Sequence, residues 1–279
     1  MINIRASLLP SYSDCPRRSA TKIIRREILE AGYTINSTPG GVGAYVGIGA
    51  HAAAEYYMGS LINKGSPIEK DGTAQAIEKY RSECQKNGVM FDVTTPNNNT
   101  AEKQLVQLTS AFYSVIVPHV NPEKIEDNRV VTIRWGYSLS GKSDCETVEP
   151  DILDWKFGSK LSNHTEQFGA YSLIKRAHEN RRVIALKQYH IPRTPIKKPF
   201  PGVTVVPYDP IISERAAQNT IKHIIRDCEN FLRTKEPWSF AANTMSMLCS
   251  SKYCSVHGTN FCELSCHIPE PVSKTEELL

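Results

Sequence analysis

Gly141-Lys142-Ser143-Asp144 followed by Asp151-Ile152-Leu153-Asp154-Trp155-Lys156-Phe157-Gly158 is the stretch that decides how this chain folds and what it can do. In a β-strand, residues i and i+2 share a face, about 6.6 Å apart along the chain. Asp154 and Lys156 therefore point one way and Trp155 the other. If Asp144 ends the preceding strand of a hairpin, its carboxylate can meet that of Asp154. Two carboxylates suit a hard divalent cation such as magnesium, and a lysine beside them can position or deprotonate a water. Asp-x-Lys is also a common edge-strand salt bridge, so context has to choose.

Outward from this stretch, residues 130–138 are β-branched and aromatic, and 150–157 repeat the habit after a polar turn. A helix is expected over 164–178, strands over 183–190 and 203–208, and a long amphipathic helix over 211–232. That order predicts an α/β core. The first 120 residues read as mainly helical, with helices over 13–29, 49–61, 72–85 and 100–117. Ser13 or Asp14 can cap the first of these, and Thr95-Pro96-Asn97-Asn98-Asn99 separates the last two.

The 279 residues suit one elaborated domain or two small ones. No apolar run reaches the roughly 18 residues of a membrane helix, and 111–117 stops at Pro118-His119. The opening MINIRASLLPSYSD lacks the apolar stretch of a secretory signal. A soluble, cytoplasmic protein is expected. A net charge of +4 is too small for a nucleic-acid coat protein. The cations cluster, however: Arg17, Arg18, Lys22, Arg25 and Arg26 lie close together, and Lys175-Arg176, Arg181-Arg182 and Lys197-Lys198 follow. Such clusters serve as solvated helix faces or as phosphate contacts.

Two helices add context. In Gly47-Ile48-Gly49-Ala50-His51-Ala52-Ala53-Ala54-Glu55, His51 and Glu55 lie one turn apart, and small residues let the helix approach another backbone. Gln167 and Tyr171 share a face of the helix after the Asp-x-Lys strand, where both can hydrogen-bond a phosphate, a base or the protein itself. Gly47 to Ala52 also fits the dinucleotide fingerprint G-x-G-x-x-A, but Gly40, Gly41 and Gly43 stand where its strand should run.

In order and spacing, Gly47 to His51, Asp144, Asp154 to Lys156 and Gln167 to Tyr171 resemble the PD-(D/E)XK nuclease superfamily, in its RecB-like branch. The resemblance covers about residues 45 to 210. It implies a restriction-endonuclease-like core, a mixed central sheet flanked by helices. It also implies that His51, Asp144, Asp154 and the Trp155 carbonyl hold Mg2+ or Mn2+, with Lys156 helping the attacking water. Gln167, Tyr171, Arg17 and Arg18 are the substrate-binding candidates. The short gap between Asp144 and Asp154 holds Glu146, Glu149 and Asp151, any of which could replace Asp144.

Eight cysteines are uneven: Cys249, Cys254, Cys262 and Cys266 crowd the last 31 residues. In a reducing compartment such spacing more often holds a metal than disulfides. The resemblance extends to iron–sulfur members of the branch, the CRISPR-associated exonucleases and AddB-type helicase-nucleases, with one cysteine before the core and three after it. It implies a 4Fe-4S cluster on Cys15, Cys249, Cys254 and Cys262, with Cys266 competing for the last place. Thiolates suit zinc as well.

The resulting domain reading is a helical region over 1–120 carrying Cys15 and His51, a nuclease core over 121–240, and a cysteine-rich metal cap over 241–279 packed against the N-terminus. The implied activity is that of a metal-dependent DNA exonuclease acting on single-stranded ends, leaving 5′-phosphate and 3′-hydroxyl groups. Recombination, phage DNA processing or CRISPR adaptation, with their partner proteins, would be its setting. The competing reading is a non-catalytic nucleic-acid-binding module stabilised by a cysteine-bound metal.

Overall fold

The computed structural model describes residues 1–264. Its elements are β1 (Ile2–Arg5), α1 (Leu9–Asp14), α2 (Pro16–Ile23), α3 (Arg25–Glu30), α4 (Val42–Ile62), α5 (Glu69–Asn87), α6 (Asn98–Val115), β2 (Pro122–Arg134), β3 (Tyr137–Thr147), β4 (Ile152–Lys156), α7 (Thr165–Glu179), β5 (Leu186–His190), β6 (Thr204–Tyr208) and α8 (Pro210–Thr234). Two compact units result. One holds Asn3–Ser7 and Pro39–Asn219; the other holds Leu8–Thr38 and, of the described residues, 220–264.

The first unit is built on a six-stranded sheet in the order β1-β3-β4-β5-β6, with β2 also paired to β3. β4 and β5 run parallel, while β2/β3, β3/β4 and β5/β6 are antiparallel, so the sheet is mixed. The fold is therefore α/β with a mixed central sheet flanked by helices. Alternation along β4 sorts its side chains. Leu153 and Trp155 enter the core formed with α4, α5 and α6, where the Trp155 ring meets Phe112 edge-on at 5.0 Å. Asp154 faces α7 instead, through Tyr171. A Cβ on Gly169 of α7 would fall 1.9 Å from the Ser213 carbonyl oxygen of α8, so only glycine permits that approach.

Three sequence expectations are corrected here. The strand read over 130–138 straddles a turn at Trp135-Gly136, where Gly136 takes φ +82° and reverses the chain between β2 and β3. The helix read over 13–29 is three short helices. Cys15 is extended (φ −149°, ψ 99°) because the proline that follows disfavours a helical residue before it, and Ile24 makes the second break. Helix α4 starts at Val42, so the G-x-G stretch lies inside a helix with no strand before it, and the dinucleotide reading falls.

In the second unit, Tyr33, Phe231, Phe240 and Phe261 pack ring against ring, and the Tyr12 hydroxyl donates to Asp227 Oδ2 at 2.6 Å. Among the described residues, no helix is long and apolar enough to cross a membrane.

Candidate metal centre and its surroundings

The site forms where β3 and β4 part. Their pairing covers Cys145↔Leu153 and Glu146↔Ile152, after which β4 continues beside β5. Because backbone groups alternate sides along a strand, and the Ile152 N–H bonds toward Ala185, the N–H and carbonyl of Trp155 face the β3 side. There the Asp144 side chain replaces the missing ladder: its Oδ2 accepts the Trp155 N–H at 2.6 Å. Its other oxygen lies 3.6 Å from His51 Nδ1. His51 stands on helix α4, whose Gly49, two residues earlier and on another face, packs tightly on α5; a Cβ there would sit 2.6 Å from the Ala76 carbonyl oxygen.

Glu126 completes this group, and sequence reasoning missed it. The register Ile125↔Cys145 and Asp127↔Ser143 sets it across from Asp144. Its φ of +50°, unusual for a side chain of this size, interrupts the regular strand at that point. One ligand atom each from His51, Glu126 and Asp144 falls within 4.8 Å of the others. A nitrogen and two carboxylate oxygens fit a divalent cation such as Mg2+ or Mn2+. The register that brings Glu126 in has no local signature in the sequence.

Asp154, 1% exposed, adjoins this group. Its Oδ2 is 2.5 Å from Lys156 Nζ, and its Oδ1 accepts a long 3.5 Å bond from the Tyr171 hydroxyl. Gln167 Nε2 in turn donates to Tyr171 at 2.6 Å. The Gln167–Tyr171 pair is thus buried and braces Asp154, instead of being presented outward to a phosphate or base.

The charges are strained against one another. Burial and then the Asp154 charge push the Asp144 carboxyl well above the usual range, although Lys156 and the Trp155 N–H pull it down. Burial lowers His51 to about 4; Asp154 opposes this, while Lys156 and Lys142 reinforce it. Burial alone would lower Lys156, but Asp154 and Asp144 raise it on balance, so its amine is an ammonium. His51 is then neutral at pH 7, with a lone pair to offer a cation.

Of the alternatives to Asp144, Glu146 pairs with Lys175 and Arg129, and Asp151 with Lys187; the Glu149 carbonyl accepts from Thr147. The carboxylate beside His51 is that of Asp144. Arg17 and Arg18 need a correction as phosphate contacts. Both are buried in the second unit, Arg17 donating to the Phe240 carbonyl and lying 4.7 Å over the Trp238 ring, Arg18 held by Asp14 and Ser246. Lys175, from another basic cluster, is buried on Glu146. Sequence displays charge but not burial.

The second unit also gathers cysteines. Cys15, Cys254 and Cys262 are buried, and Cys249 is partly so. Burial and then the neighbouring Cys262 and Cys15 raise the Cys249 thiol; Cys254 is raised by burial, and by Cys262 and Cys15 against an opposing Val256 N–H. Cys266 lies outside the described residues.

No protein-family model matches the chain, and no curated protein does. Two solved structures overlap it loosely. A candidate exonuclease from Eubacterium rectale aligns at 11% identity and a TM-score of 0.42, over 72% of this chain and 73% of its own. The protein SSO0001 aligns at 12% identity and a TM-score of 0.27, over 71% of this chain and 82% of its own. Overlaps this loose do not bear on chemistry, and the functional assignment rests on the site.

Proposed function

We propose that this chain is a divalent-metal-dependent DNA nuclease that works as an exonuclease on single-stranded ends. The observation that carries the reading is the meeting of His51, Asp144, Asp154 and Lys156 where β3 and β4 part. His51 and Asp144, with Glu126 and the adjoining Asp154 and Trp155 carbonyl, are the residues that would hold Mg2+ or Mn2+. Bound there, the ion would supply Lewis-acid stabilisation of charge on the phosphate oxygens and lower the pKa of a bound water.

The chain's own groups do the rest. Asp144 is fixed by the Trp155 N–H, and Asp154 by Tyr171 and Gln167, so neither carboxylate has to reorganise during reaction. Lys156 is charged in the metal-free protein. It therefore orients a water or a phosphate oxygen as a donor, and becomes a base only after losing its proton. The test is labelled single-stranded DNA incubated with and without Mn2+. Wild type yields 5′-phosphate products, and Asp154→Ala yields none. A wild-type protein that cleaves nothing under several divalent ions would sink the assignment.

The thiols of Cys15, Cys249, Cys254 and Cys262 would hold a 4Fe-4S cluster, with zinc as the alternative. Thiolates suit both, and a bound cation would offset the burial and the neighbouring thiols that raise Cys249 and Cys254. Cys15 and Cys249 are separated by 249 − 15 = 234 residues. Such a link is worth at most about 5 kcal/mol in the loop-closure model. Anaerobic purification followed by iron, sulfide and zinc analysis decides between the metals. Cys15→Ser loses the metal and solubility, whereas Cys84→Ser keeps both.

A further inference from the structure

The metal-ligand group does not stand alone in its cavity. Ile48, His51, Ala52, Glu55, Lys79, Glu126, Lys142 and Asp144 line a space of about 420 Å³. Two lysines project toward it from different elements. Lys79 is engaged with Glu83 on its own helix at 3.0 Å. Lys142 is not turned away: its ammonium forms an ion pair with Glu126 Oε2, and Glu55 and Asp144 lie within its electrostatic reach. Lys142 thus carries a positive charge into a space bounded by three carboxylates, from a side chain 54% exposed.

The charges pair off accordingly. Lys156 is committed to Asp154 and Lys142 to Glu126, while Asp144 lies 3.6 Å from the His51 imidazole. Phosphodiester-cleaving sites with carboxylates on two sides commonly bind two cations about 3.5–4 Å apart. Here one of the two places already holds a cation, covalently tethered to β3. We propose that Lys142 is a built-in counter-cation that occupies the second-cation position beside Glu126, so that the centre takes a single divalent ion. Neutralising Lys142 opens Glu126 and Glu55 to a second ion. In this role Lys142 is a specificity-determining residue for metal stoichiometry, not a catalytic one.

The inference rests on the metal-centre reading above, and the experiment separates the two. Full-length wild type, Lys142→Gln and the double variant Glu55→Gln/Lys142→Gln are titrated with Mn2+ by calorimetry. The Mn2+ electron paramagnetic resonance signal is recorded alongside. Lys142 is half exposed, so its replacement does not threaten folding. Wild type is expected to bind one ion, Lys142→Gln two, with the spectral broadening of a coupled pair, and the double variant one again. Lys142→Gln binding one ion with wild-type affinity overturns the inference while leaving the metal centre standing. Two ions in wild type overturn it as well. No Mn2+ bound by any of the three, at concentrations that saturate a control nuclease, removes the metal centre and this inference together.

Discussion

Two lysine–carboxylate groups are buried on the same sheet, and they are built to opposite ends. Around Glu146, charges alternate until all are matched. Lys175 contacts Glu146 and Glu179, Arg129 reaches Asp127 at 2.6 Å, Glu146 at 3.1 Å and Glu179 at 2.8 Å, and Lys124 closes on Glu179 at 2.7 Å. Around Asp154, two carboxylates confront each other with one lysine between them. The outcomes diverge. Burial alone would raise Glu179, yet its Lys124 bond and Lys175 hold it down at about 2. Asp144 is driven up by burial and by Asp154. Asp154–Lys156 and Glu146–Lys175 read alike as residue types, but Glu146 and Glu179 each meet at least two cationic side chains, whereas Asp144 and Asp154 share one lysine. That difference separates a structural ion network from a site poised for chemistry.

The sharpest way to break the comparison is to remove each lysine. Lys156→Ala should lower cleavage by about 10²–10⁴-fold while leaving DNA binding nearly intact, because metal ligation does not use the amine. Single-turnover kinetics and a gel-shift titration on the same preparation check both halves. Wild-type turnover would place Lys156 in the class of Lys175, a salt-bridge partner and nothing more. Lys175→Ala should instead cost about 3–5 kcal/mol of stability, because it strands Glu146 with half its counter-charge. Urea denaturation measures this. A loss below about 1 kcal/mol would mean that Arg129 alone satisfies Glu146.

How far the sequence foretold this contrast varied with the range of the interaction. Asp154, Lys156, Gln167 and Tyr171 fall on one strand and one nearby helix, so periodicity places them, and all four meet in the structure. Strand β1 has only four residues, too few for a pattern, and was missed. The Trp135-Gly136 turn lacks the Asn-Gly signature, so β2 and β3 merged into one reading. Glu126 was invisible because its meeting with Asp144 depends on cross-strand register and one left-handed residue. Arg17, Arg18 and Lys175 were read as exposed cations because composition says nothing of burial. Which lysine is structural and which belongs to the site is settled by partners that only the fold supplies.

A third test sharpens the contrast by relief instead of removal. Asp154→Asn takes away the charge that helps push Asp144 upward. In metal-free protein it should therefore stabilise by about 0.5–2 kcal/mol while abolishing cleavage, the usual exchange of function for stability. The matching change in the Glu146 network, Glu179→Gln, should destabilise. Thermal or urea unfolding in the presence of a chelator decides. Destabilisation by Asp154→Asn would show that Lys156 gains more from Asp154 than Asp144 loses to it.

The smallest effect is a pH dependence whose two halves oppose each other. His51 titrates at about 4 in the folded chain against 6.5 ordinarily. Between those values the unfolded chain binds the proton and the folded chain does not. Its contribution is therefore complete above 6.5 and lost as pH falls through about 4, so stability rises with pH in that window. Asp144 has the reverse sign. Its folded pKa lies above the ordinary 3.8, so the folded chain keeps a proton that the unfolded chain has released, and stability falls as pH rises toward the folded value. In wild type the slopes work against each other. Asp144→Asn should leave the rising slope of His51, and His51→Gln the falling slope of Asp144. The His51 share should amount to about 1 kcal/mol or less across the window, since its side chain is about one-third exposed and solvent screens it. Urea midpoints of both variants in chelator, followed from about pH 4 to 6.5, read out the signs. Slopes of the same sign would mean that the two groups do not titrate as an opposed pair, and would count against a raised Asp144 beside a lowered His51.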